Sequence, residues 1–212
     1  FKQKTAYDIK LTIEKKLKPI DAALQDIVDN SDIRKINLEI ANSAFRKIIK
    51  KYPVILSIKR SSSKGLLINE IFEKSQAKKL FIDISEKDWF RIPRQSLKSY
   101  YGPIIKQDHM NTVIWSKPVK VQNRIDEYKF GGIIAFTIDI KKFLTGIKEN
   151  FKKPMRCLYN NQVFFTHDWD ETKSYVEYPV ELNNINIFNV QQNTNQNAPV
   201  IDPNKKSAER LK

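Results

Sequence analysis

The chain has 212 residues, a net charge of +14 and 41% hydrophobic side chains, enough to bury a core and too apolar for a disordered tail. A single cysteine, Cys157, excludes an internal disulfide framework and a Cys-rich zinc module, and no apolar run reaches the ~18 residues of a helical membrane span. The lysines that dominate the positive charge are dispersed and form no basic block or nucleic-acid-reading motif, so a solvated surface is expected, with attraction to anionic lipid or an acidic ligand as the sharper reading.

The N-terminal segment has helical spacing. Ile13, Leu17, Ile20, Leu24 and Ile27 alternate steps of four and three and fall on one stripe, with Lys15, Lys16, Lys18, Asp21 and Asp26 largely opposite. Pro19 lies inside this pattern and predicts a kink or a fresh start. Asn30-Ser31-Asp32 can cap a second segment whose stripe runs Ile33, Ile36, Ile40, Ala44 and Ile48. One long helix or two abutting helices over roughly 5–51 follow, packed on the domain's own sheet or, alternatively, forming a homodimer seam.

The period changes after Tyr52-Pro53. Val54–Ile58 reads as a strand, Ser61–Gly65 as a turn and Leu66–Phe72 as the returning strand. Lys79–Ile84 is another strand, and Ser85 can cap a short helix through Asp88-Trp89-Phe90 that Pro93 interrupts before the Tyr101-Gly102-Pro103 corner. Thr112–Val121 and Tyr128–Asp139 are the longest strand candidates, with Gly131-Gly132 marking a bulge or a close approach. Ile140–Phe151 is helical. Met155–Tyr159 and Gln162–Thr166 flank Asn160-Asn161, a hairpin signal; Tyr175–Leu182 and Asn184–Val190 alternate as strands. Residues 191–204 are Gln/Asn-rich and read as linker, and Ser207 can open a further helix. The order is an α+β pattern: a long N-terminal helix on an antiparallel sheet, with a small C-terminal β annex.

No nucleophile elbow, phosphate-binding loop or dinucleotide fingerprint occurs. Cys157 falls in a strand, as a small buried hydrophobe does. His167-Asp168-Trp169-Asp170 is the one cluster able to bind metal or move protons, and a solvated loop is its ordinary reading; Asp108-His109 reads as surface. No enzyme activity and no cofactor are expected. A binding site has more support. Aromatics gather at Phe81, Trp89, Phe90, Tyr100, Tyr101, Trp115, Tyr128, Phe130 and Phe136, with Lys87, Arg91 and Arg94 among them, the composition of a cleft for a small anion. Phe81, Phe130 and Phe136 are assigned to the core.

These pieces form an ordered series: a long helix, Pro53-Val-Ile-Leu-Ser-Ile, a Gly-containing turn, Asp88-Trp89-Phe90, Tyr100-Tyr101, Ser116-Lys-Pro118-Val, and Gly132-Ile-Ile-Ala-Phe-Thr-Ile-Asp139-Ile. Over roughly residues 5–150 the series resembles the Cache superfamily, PAS-like extracytoplasmic sensor domains of bacterial chemoreceptors, histidine kinases and diguanylate cyclases. Residues from Met155 resemble the opening of the second, membrane-proximal module of double-Cache domains, truncated. The resemblance implies a small-molecule site on the sheet face under loops, lined by Trp89, Phe90, Tyr101 and Asp139, with binding relayed through the helices. Lys87 stands where the amino-acid-sensing members carry an Arg two residues before the Trp, keeping the charge without the bidentate fork. Those members also have an acidic residue just after the tyrosine, where Gly102-Pro103 stand here.

The expected organisation is a helical segment 1–52, a PAS-like module 53–151, a β annex 152–190 and a polar linker 191–212. The chain opens at Phe1 without Met and reads as an excised piece, with membrane segments outside it and an extracytoplasmic (periplasmic) setting. The expected partner is a small polar ligand, a carboxylate being compatible, held by Lys87, Trp89, Phe90, Arg94, Tyr100, Tyr101, Trp115 and Asp139. No nucleic acid and no metal are expected. The alternatives are a partner-binding or dimerisation module working through the 13–27 stripe and, third, a basic nucleic-acid-binding domain.

Overall fold

The computed structural model describes residues 6–34, 38–72, 78–107, 110–124, 127–148 and 154–193. Ile36, Asp108, His109, Phe151 and the expected linker and helix beyond Asn193 lie outside them.

Helix α1 (Ala6–Asp29) is followed by α2 (Ser31–Arg34) and α3 (Leu38–Lys51). The predicted stripe is the buried side of α1: Ile13, Leu17 and Leu24 have no exposure, and Ile20 and Ile27 have almost none. The helix runs through Pro19, because apolar packing on both sides of the proline outweighs the backbone bond it removes. Asn30 Oδ1 accepts the Ile33 N–H at 3.3 Å, starting α2 as a side-chain cap does. The second stripe is out of phase. Ala41, Phe45 and Ile49 are the buried residues of α3, whereas Ile40 is 43% exposed. The buried residues of α3 thus stand one position after the expected Ile40, Ala44 and Ile48.

Sheet strands β1 (Ile55–Ser61), β2 (Leu66–Phe72) and β3 (Lys78–Asp83) precede α4 (Asp88–Ser96); then come β4 (Tyr100–Tyr101), β5 (Ile105–Gln107), β6 (Met110–Arg124), β7 (Glu127–Asp139) and α5 (Ile140–Lys148). The seven-stranded sheet has the order β3-β2-β1-β7-β6-β4, with β5 also on β6, and the pairings are antiparallel. Gly132 has φ +108°, and a Cβ there would stand 2.2 Å from the Ser61 carbonyl oxygen. The predicted close approach is therefore to the neighbouring strand's backbone. Ser85 does not cap α4; the cap is Lys87, without a side-chain bond, and Ser85 instead donates its N–H to Asp83 Oδ1 at 2.8 Å.

The two faces of this sheet carry different layers. Asn69 donates to Asn42 of α3, and Lys117 donates to Asp21 of α1. Ser116, the residue before Lys117, donates from the opposite face to the Trp89 carbonyl oxygen of α4 at 2.6 Å. Leu67, Ile84, Phe90, Ile133 and Ala135 form the core under α4. Phe136 is buried and Phe130 packs half-buried, but Phe81 is 79% exposed on the edge strand β3. An edge strand has one neighbour and one layer fewer than its apolar sequence anticipates.

The chain divides into a larger unit, Glu14–Gly146, and a smaller one made from the described residues on either side of it. The smaller unit holds β8 (Met155–Tyr159), β9 (Gln162–His167), β10 (Tyr175–Leu182) and β11 (Ile185–Asn193) in the order β10-β11-β8-β9. Asn160-Asn161 and Asn183-Asn184 all have positive φ, the backbone of two-residue hairpin turns whose twist matches the strands. The strand β11 takes in Gln191–Asn193, all buried, which composition had placed in the linker.

Candidate functional site

On the face that carries α4, strand register lines up Glu70, Lys59, Ala135, Ser116 and Tyr100 across five strands. The next row is Phe72, Ser57, Thr137 and Ile114. Helix α4 sits over the Ala135–Ser116 end through Phe90 and the Ser116–Trp89 bond. Polar groups converge at the other end. Lys59 Nζ lies 2.8 Å from Glu70 Oε1 and donates to Ser57 Oγ at 2.9 Å and Thr137 Oγ1 at 2.5 Å. The Lys59 and Glu70 side chains are only 13% and 11% exposed, so a charged pair is set into a sheet face beside an apolar core. An ammonium and a carboxylate held this way can bind a ligand carrying the complementary charges, one on each.

The residues singled out from sequence divide between the two faces. Trp89 is half-buried against the α4 core and Tyr100 half-buried beside Ser116. Asp139 shares the Thr137 face by strand alternation, and its Oδ1 accepts the Lys142 N–H at 2.8 Å, so it caps α5. Lys87 and Arg94 are exposed near the two ends of α4. Phe90 is fully buried in the core and stacks edge-on with Phe130 at 5.5 Å. Trp115 and Tyr101 are on the helix face: Trp115 is fully buried, its ring 5.4 Å from that of Tyr101. The Tyr101 hydroxyl donates to Asp21 Oδ1 at 2.9 Å, and Lys117 Nζ approaches Asp21 Oδ2 at 3.0 Å.

Sequence reasoning missed Ser57, Lys59, Glu70 and Thr137 on one face and Asp21 with Lys117 on the other. The available signal was polarity at alternate positions within strands: Ser57 and Lys59 flank Ile58, and Thr137 lies between Phe136 and Ile138.

In the smaller unit, Arg156 organises the loop that follows His167. Its guanidinium stacks 4.3 Å from the Trp169 ring centre and meets both Glu171 oxygens at 3.0 and 3.1 Å. Asp170 is held below the usual carboxylate range by hydrogen bonds from Thr172. His167 lies 3.6 Å from Asp168, and no cluster of three metal-ligating residues occurs among the described residues. Burial raises the Cys157 thiol far above its ordinary range. A groove of about 360 Å³ on the second sheet is lined by Leu158–Asn161 and Asn186–Asn189, with no charged side chain.

No family model and no curated protein matches the chain. Solved structures do. The ligand-binding domain of the Campylobacter jejuni chemoreceptor Tlp3, in complex with 4-methylisoleucine, superposes with a TM-score of 0.61 at 12% identity, covering 88% of each chain. The extracellular domain ascribed to the histidine kinase mmHK1S-Z2 gives 0.62 at 9% identity, covering 87% of this chain and 92% of that one. A domain of a sensory box/GGDEF family protein from Vibrio parahaemolyticus gives 0.59 at 13% identity, covering 88% and 91%. The likeness is one of fold, and the fold is that of Cache, PAS-like sensory domains.

Proposed function

We propose that this chain is the extracytoplasmic sensor domain of a membrane-anchored signalling receptor, binding a small polar molecule and catalysing nothing itself. The setting is carried by analogy with the extracellular and ligand-binding domains that share its fold; no helix among the described residues is long and apolar enough to cross a membrane. The observation that carries the binding site is the Lys59–Glu70 pair sunk into the same sheet face that carries α4 and Trp89. Lys59 supplies a cation for a ligand carboxylate, Glu70 an acceptor for an ammonium, and Trp89 and Tyr100 aromatic surface on the same face. Lys87 and Arg94 at the ends of α4, and Asp139 beyond Thr137, complete the ligand-facing set, with carboxylate-bearing small molecules, amino acids included, as its class.

The relay runs through β4. Tyr100 stands on the ligand side and Tyr101 on the helix side, where its hydroxyl reaches Asp21 of α1. A ligand that engages Tyr100 better in one packing of β4 than in another biases the grip on α1. The seam alternative loses its stripe: Leu17 and Leu24 have no exposure within the single chain.

Thermal unfolding of the domain in the presence of amino acids and small carboxylates tests the reading, with titration calorimetry of any hit. Stabilisation by at least one compound is expected, lost in Trp89→Ala and in Lys59→Met while the unliganded variants stay folded. A hit to which both variants respond like the parent protein places binding elsewhere and refutes the site.

A further inference from the structure

Among the described residues, the helix-facing side of the larger sheet carries two buried cations in one row. Register lines up Asn69, Arg60, Ile134 and Lys117 across four strands on that face. Asn69 is answered by Asn42. Lys117 is answered by Asp21, whose other oxygen takes the Tyr101 hydroxyl. Arg60 is different. It is 2% exposed, and its Nε and Nη1 have no hydrogen-bond partner. Trp115 Nε1, on the same face, is buried and unanswered as well. These are all donors, so what is missing from this face is an acceptor.

Burial brings the Arg60 guanidinium down to about 10, which still leaves it protonated at neutral pH. A water molecule could accept its hydrogen bonds yet would leave the charge uncompensated in a low-dielectric interior. A small anion supplies both the acceptor and the charge. Among the described residues of this row, Asp21 answers Lys117 while no partner answers Arg60 Nε and Nη1, which leaves one positive charge in excess.

We propose that Arg60 holds a small monovalent inorganic anion, chloride being the type, at Nε and Nη1 beneath the helix layer. Monovalence follows from the excess of one charge. The near-complete burial of Arg60 excludes organic anions of any size. The Asn42–Asn69 bond beside it closes the row on the α3 side, and Ile134 separates the site from Lys117. This site lies across the sheet from Lys59 and Glu70, so it neither requires nor predicts the ligand reading. Its occupancy ties the packing of the helix layer on the sheet to the concentration of free anion.

The test compares thermal unfolding of the domain in sodium chloride and sodium gluconate at equal ionic strength, alongside crystals soaked in sodium bromide. Above the dissociation constant, each tenfold rise in chloride should raise the midpoint by roughly 3–5 °C over gluconate, and Arg60→Gln should erase that difference. Bromide should give an anomalous peak within hydrogen-bond reach of Arg60 Nε and Nη1. Equal midpoints in the two salts overturn the proposal. So does a bromide map with no peak at Arg60, which decides the matter even if the variant fails to fold.

Discussion

Replacing Asp21 with Asn removes the acid that answers both Lys117 and Tyr101 while keeping the shape of the side chain. Unit charges 3.0 Å apart attract by about 5–6 kcal/mol at an effective dielectric near 20. Desolvation of both ions takes back part of that gain. The Lys117 side chain is 6% exposed and that of Asp21 13%, so the variant strands a nearly buried ammonium, for which a loss of about 3–5 kcal/mol is expected. In a domain of this size that lowers the melting midpoint by roughly 8–15 °C. Lys117→Met removes the stranded charge, so the double variant Asp21→Asn/Lys117→Met should cost about 2 kcal/mol less than the two single losses added together. Urea unfolding followed by tryptophan fluorescence measures all four corners of the cycle. Additivity to within about 0.5 kcal/mol would show that the ions do not interact, and the account of how α1 is held to the sheet would fail with it.

Gly132→Ala should destabilise by about 3 kcal/mol or more, because the added carbon meets the Ser61 carbonyl at 2.2 Å in a left-handed backbone. Gly146→Ala, on α5 with nothing within 4 Å of the new carbon, should stabilise by roughly 0.5–1 kcal/mol; equal effects in urea unfolding would contradict the geometry at Ser61. Hydrogen bonds from Ser85 hold the Asp83 carboxyl below its ordinary range, so its contribution is present above the unfolded value and lost as pH falls through the folded one. Asp83→Asn should therefore flatten the acid limb of stability below about pH 4, and parallel limbs in parent and variant would be the contrary result. The Cys157 thiol, buried and raised well above its ordinary range, should react with a disulfide reagent only as fast as the chain opens in urea; prompt full labelling of the native protein would speak against the buried strand β8.

Periodicity made the elements legible because it reports burial relative to an element's own axis. The α1 stripe, the Gly132 contact and the Asn160-Asn161 hairpin follow from spacing and turn chemistry. What periodicity does not report is which side of a sheet an inward position faces. Tyr101 reads as the start of a corner, and Tyr100 and Tyr101 are grouped in one site; as a short strand they are bound to part. Trp115, grouped with Trp89 by aromatic character, is separated from it by the sheet itself. Phase was equally local: the buried positions of α3 stand one residue after those counted from Ile33. The polar residues of the candidate site escaped notice for a further reason. Lys59 and Glu70 belong to different strands, and their pairing is a matter of hairpin register rather than of any motif along the chain.

Ser116 and Lys117 are consecutive residues of β6, and one grips the backbone of α4 while the other reaches the acid on α1. A single peptide unit thus stands between the two layers, and a rotation of that unit is felt on both at once, as a see-saw moves both its seats. No chain of intervening contacts is needed to carry news from one side to the other. Substitutions that uncouple the layers without unfolding the domain should accordingly cluster at this one point of β6 rather than spread along a path.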